Sequence, residues 1–80
     1  MLQLNNLQVN QNVYMITEDV SGISGIECTI LCVKEDAAYA GTSTGVEVII
    51  DKSSAKNFFL TNDEMNLEIE NSGKHRSFWY

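Results

Sequence analysis

The 80-residue chain predicts an all-β fold, a small five- to six-stranded barrel with one short helical turn. Three observations carry that prediction. Apolar and polar residues alternate with period two along most of the chain, the pattern of half-buried strands. Turn residues recur about every eight to twelve positions, as they do between short strands of a barrel or sandwich. The length suits one domain, residues 1–80, and a chain this short buries only about 60–65% of its unfolded surface, which leaves little room for a deep cavity.

The elements follow in order. Val13, Met15 and Thr17 alternate with Tyr14, Ile16 and Glu18, a first strand. Residues 19–25, "DVSGISG", read as a glycine-bearing loop. Ile26, Cys28, Ile30 and Cys32 alternate with Glu27, Thr29, Leu31 and Val33, a second strand. After the polar turn Lys34-Glu35-Asp36, residues 37–41 form a short strand of small residues around Tyr39. "TSTG", residues 42–45, is a hairpin turn. Val46, Val48 and Ile50 alternate with Glu47, Ile49 and Asp51, the clearest strand. Ser53 or Ser54 can cap one helical turn that ends at Phe58-Phe59. Met65, Leu67 and Ile69 alternate with Asn66, Glu68 and Glu70, a fifth strand, and Asn71-Ser72-Gly73 turns the chain. The last segment, "KHRSFWY", is a sixth strand or a tail.

Both cysteines lie on the second strand, spaced C-x-x-x-C, and strict alternation puts them on one face. A strand separates their Cα atoms by about 13 Å, against the roughly 7 Å a disulfide tolerates. One zinc ion cannot readily bind both thiolates across that gap, and His75 is the only histidine. The pair is expected to be buried and inert, with no metal and no cofactor.

The order of residues resembles a Src-homology-3-like barrel of the KOW type. "LQVNQNVYMI", residues 7–16, resembles the hydrophobic-x-Val-Gly-Asp-x-Val start of that barrel, with Leu7, Val9 and Val13 entering the first strand. "SGISGIECTIL", residues 21–31, resembles its loop and second strand, with Gly22 and Gly25 shaping the loop and Ile26, Ile30 and Val33 lining the strand. "GVEVIID", "SSAKNFF" and "MNLEIE" resemble the fourth strand, the helical turn and the closing strand. The likeness spans residues 7–70. Asn10-Gln11 stands where Gly-Asp is usual, and Cys28 where a second strand glycine is usual. Such modules often bind RNA, ribosomes or RNA polymerase, which is what the resemblance implies.

Charge points elsewhere. Eleven carboxylates face five basic residues, a net −6, and the first seventeen residues carry no charged side chain. Such a surface repels phosphate backbones and anionic membranes, so neither free nucleic acid nor a membrane is an expected partner. The start of the chain has no signal-like pattern, and a cytoplasmic location is expected. High Asn content without proline is compatible with a low-GC bacterial or phage genome.

A catalytic site is hard to assemble. His75 sits between Lys74 and Arg76, and Ser21, Ser24, Ser43, Ser53, Ser54, Ser72 and Ser77 fall in predicted loops or near the terminus. No nucleophile elbow, phosphate loop, zinc helix or calcium loop occurs. The carboxylate pair Glu68 and Glu70 lies on one face of the predicted fifth strand. Spaced carboxylates of this kind solubilise a surface or mimic a nucleic-acid backbone. Aromatic residues cluster at Phe58-Phe59 and at Phe78-Trp79-Tyr80, and Trp and Tyr dominate binding hot spots.

The expected function is therefore a non-enzymatic, acidic protein-binding module, an inhibitor or adaptor acting on a host or cellular protein. Its protein-binding residues would be Phe58, Phe59, Glu68, Glu70, Phe78, Trp79 and Tyr80, and a homodimer built on the terminal strand is compatible with this. The alternatives are a KOW-like module on the ribosome or RNA polymerase that uses Lys74, His75 and Arg76, a nucleic-acid mimic, and a small enzyme working at a dimer interface.

Overall fold

A computed structural model of the chain describes residues 2–74. It is mostly β, with one helix. The strands are β1 (Asn12–Asp19), β2 (Gly22–Val33), β3 (Ala38–Thr42), β4 (Glu47–Ile50) and β5 (Phe58–Phe59), followed by α1 (Asn62–Asn71). They form one antiparallel sheet in the order β4-β3-β2-β1-β5, so β4 and β5 are its edges. A short 3-10 turn, Ala55–Asn57, precedes β5 at the place expected for a helical turn.

The main core lies on one face of the sheet. Val13, Cys28, Ile30, Ala38, Ala40, Ile50 and Phe58 are buried there, and Leu2 and Leu7 cover it from the N-terminal segment. Small residues at 38 and 40 let the sheet lie close to that cover. The turn into β1 needs a left-handed residue, and Asn10 supplies it at φ 72°, a conformation Asn tolerates better than most side chains. Asn10 N–H donates to the Ile30 carbonyl at 2.8 Å and Ile30 N–H to the Gln11 carbonyl at 2.8 Å, which ties this turn to β2.

Three expectations are corrected. The segment 65–69 is a helix and not a fifth strand. Thr61 caps α1, its hydroxyl accepting from Glu64 N–H at 3.1 Å, and Asp63 and Glu64 place negative charge at the positive end of the helix dipole. Gly73, at φ 70°, follows the last turn and stops the helix. Met65 and Ile69, one turn apart, are buried, whereas Leu67 is exposed.

The second correction is the loop at 19–25. Only Val20-Ser21 turns the chain, held by Asp19 Oδ1 accepting from Ser21 N–H and Oγ–H. Gly25 is inside β2 opposite Ile16, where a Cβ would overlap the Met65 thioether. The glycine therefore provides space for the helix and does not shape a loop. Ile23, Met65 and Ile69, with Tyr14, Ile16 and Phe59 around them, make a second, smaller cluster on the outer face.

The third correction concerns Cys32. Ile30 pairs with Ala40 but Cys32 with Tyr39, so Leu31 is an extra residue, a β-bulge. The bulge ends the alternation: Cys28 is buried in the core, while Cys32 is half-buried on the opposite face. Burial first, and the Glu27 carboxylate second, push the Cys28 thiol pKa up, so it stays protonated and unreactive at neutral pH. Native protein is expected to take up about one equivalent of thiol reagent quickly at Cys32, with Cys28 reacting only on unfolding. Peptide mapping of the labelled chain checks this, and fast labelling at both positions would contradict it.

Candidate protein-binding surface

The outer face of the sheet has two halves. Helix α1 packs on β1, β2 and β5 and covers one of them. The other is formed by the C-terminal part of β2 with β3 and β4. Register places Leu31, Cys32, Tyr39, Gly41, Glu47 and Ile49 on it, opposite to the core residues Ile30, Ala38, Ala40 and Ile50. Leu31 is 47% exposed and Ile49 54%, while Tyr39 and Cys32 are half-buried. Gly41 gives Leu31 a flat floor: a Cβ there would lie 3.2 Å from Leu31 Cδ1. A strip of apolar side chains thus crosses three strands.

The strip ends at the open edge of β4. Thr42 N–H donates to the Val46 carbonyl, and Val48 and Ile50 lie in the same phase toward β3. Glu47 and Ile49 therefore aim their backbone groups off the sheet. Ser54 closes one end of this edge: its hydroxyl donates to the Ile49 carbonyl at 3.1 Å and accepts from Asp51 N–H at 2.9 Å. Asp51 holds Ser54 in place, its Oδ1 accepting from Ser53 Oγ–H, Ser53 N–H and Ser54 N–H. These bonds, the Ser53 hydroxyl foremost and the Ser54 amide next, hold the Asp51 carboxyl below the usual carboxylate range. The staple therefore adds stability that is present above the unfolded-state pKa and is lost as pH falls through the lower folded value.

Beyond β4 the surface opens into a cleft of about 520 Å³. Leu2, Leu4 and Ala55 supply its apolar lining, and Glu35, Asp36 and Lys52 its charges. Both carboxylates are exposed and make no hydrogen bond or ion pair among the described residues. Among the described residues no group of three or more His, Cys, Asp or Glu side chains is placed to hold a metal ion. No described helix is long and apolar enough to cross a membrane.

Of the site residues expected from the sequence, the four that are described, Phe58, Phe59, Glu68 and Glu70, do not share one surface. Phe58 is buried in the main core beside Met15, and Phe59 is half-buried beside Tyr14 under the helix. As a two-residue strand, the pair serves opposite faces. Glu68 and Glu70 are exposed, but on a helix two positions differ by about 200°, so they do not share a face. Phe78, Trp79, Tyr80, His75 and Arg76 lie outside the described residues. Lys74, the one described member of the basic cluster, pairs with Glu18 at 2.8 Å, both side chains about half exposed.

Leu31 and Ile49 were readable only as apolar residues in the polar phase of two strands, where Glu27, Thr29, Glu47 and Asp51 also stand. No family model, curated protein or solved structure matches the chain.

Proposed function

We propose that this chain is a non-enzymatic, acidic protein-binding module that acts as an inhibitor or adaptor on a cytoplasmic protein. The half of the outer sheet face that no described element covers carries this reading. Leu31, Tyr39 and Ile49 form an apolar strip beside a strand edge, with the exposed Glu47 next to it, on a chain of net −6. Apolar anchors with a polar rim are the anatomy of an interface.

The same reading takes the architecture to be a Src-homology-3-like barrel of the KOW type. What supports it is the β4-β3-β2-β1-β5 order, the long bulged β2, the 3-10 turn before β5, and Asn10 in the left-handed conformation where the resemblance places glycine. Nucleic-acid binding finds less support, because Lys74 is already paired with Glu18.

The test is affinity capture from bacterial cytosol with tagged wild-type protein and the double variant Leu31→Asp, Ile49→Asp. Both side chains are exposed, so the variant should stay folded. A stoichiometric partner recovered by wild type and lost by the variant is the expected result. Equal recovery would move the interface elsewhere on the molecule.

A further inference from the structure

We infer that the edge of β4, unpaired among the described residues, is a strand-addition site for an extended segment that alternates apolar and basic side chains. This inference rests on the protein-binding reading and specifies its partner. The first argument is geometric. Glu47 N–H, Glu47 C=O and Ile49 N–H face off the sheet, while Ser54 already satisfies the Ile49 carbonyl and the Asp51 amide. The available groups therefore form a short template with a defined stop. β4, Glu47-Val48-Ile49-Ile50, has no proline, lysine or bulge to block pairing; its protection is its shortness and the one charge of Glu47, which a basic partner residue would neutralise.

The second argument is side-chain chemistry. On the outer face an added strand would set one residue beside Ile49 and another, two positions away, beside Glu47. Ile49 continues into Tyr39, Cys32 and Leu31, so an apolar neighbour there extends the strip. Glu47 is exposed and makes no ion pair among the described residues, so a lysine or arginine matches it. The exposed carboxylates of Glu35 and Asp36 lie beyond the other, Ile50 end of β4, where Lys52 offsets one of them, and the net −6 of the chain favours a basic segment over an acidic one.

A second copy of this chain is the poorer occupant. Two protomers each bring a net −6, and edge-to-edge pairing would place two Glu47 carboxylates on one ribbon. Strand addition takes its affinity from main-chain bonds and its selectivity from alternate side chains, as required here.

The experiment uses the full chain, isotopically labelled for amide hydrogen exchange, and three kinds of synthetic peptide. One is a short capped peptide alternating lysine and valine. The second has glutamate for lysine. The third is the lysine peptide N-methylated at every other amide, made in both phases. The lysine peptide should slow exchange at the Glu47 and Ile49 amides and bind with an affinity that falls as salt rises. The glutamate peptide should bind about tenfold more weakly or worse. The N-methylated peptide in the phase that faces β4 should not bind. Glu47→Lys, at an exposed position, should reverse the charge preference.

Equal binding of the lysine and glutamate peptides, unimpaired binding of both N-methylated forms, or unchanged exchange at 47 and 49 would overturn the proposal. Protection at those amides that rises with protein concentration in the absence of peptide would also overturn it, in favour of a second copy. A partner captured through Leu31 and Ile49, with no peptide effect at β4, would remove strand addition and leave the module.

Discussion

Replacing Phe58 by alanine should cost a large share of the stability of this domain. Phe58 is 3% exposed, lies opposite Met15 on β1, and packs in the cluster that holds Val13, Ile30 and Ile50. A buried Phe→Ala change costs about 3–5 kcal/mol from lost transfer energy and the cavity left behind. A domain of this length has about 4–12 kcal/mol in total, at roughly 0.05–0.15 kcal/mol per residue. The variant should therefore unfold at a much lower denaturant midpoint or fail to fold. Phe59→Ala, half-buried at the other face, should lose clearly less. Denaturant titration of both decides the matter. Equal effects would mean that Phe58 and Phe59 do not serve separate cores.

Gly25→Val should also be damaging, though less so, and for the opposite reason. A Cβ at 25 would overlap Met65 Sδ and Cε, so the helix must lift or Met65 must leave its place. The glycine is not in the left-handed region, so the cost is one of space and not of backbone strain. Overpacking of this kind costs about 1–3 kcal/mol. The cause can be isolated with a double-mutant cycle. Met65→Ala alone should destabilise by about 2–5 kcal/mol as a buried truncation. Combined with Gly25→Val it should cost less than the sum, with a coupling of about 1–2 kcal/mol. Additive effects would show that Met65 does not occupy the space above Gly25.

The β portion of the fold was legible because alternation and turn chemistry agreed over residues 13–18, 26–30, 42–45 and 46–50. Met65 to Ile69 misled because apolar residues at 65, 67 and 69 satisfy period two, while 65 and 69 alone satisfy one helical turn. The deciding signal was local: Thr61-Asn62-Asp63-Glu64 has the T-x-x-E pattern of a helix start, and the Thr61 hydroxyl accepts from Glu64 N–H in the structure. Gly25 was read as a loop residue because a glycine needed for close packing looks, in sequence, like one needed for a turn. The candidate surface was less legible still. Its residues are selected by which half of the outer face the helix leaves bare, and that follows from the chain path, not from any motif.

The bulge at Leu31 has a further consequence for how the chain uses its length. Without residue 31, Cys28, Ile30 and Val33 would still face inward, with Thr29 and Cys32 outward, because two consecutive outward residues count as one step of the pleat. Leu31 is thus surplus to the core: the strand would run in unbroken register against Ala40 and Ala38 if it were excised. What excision would remove is the leucine lying over Gly41, nearly half exposed to water. The irregular ladder therefore does two things at once: it bends and twists β2 locally, and it sets an apolar side chain on the outside without changing which residues face the interior.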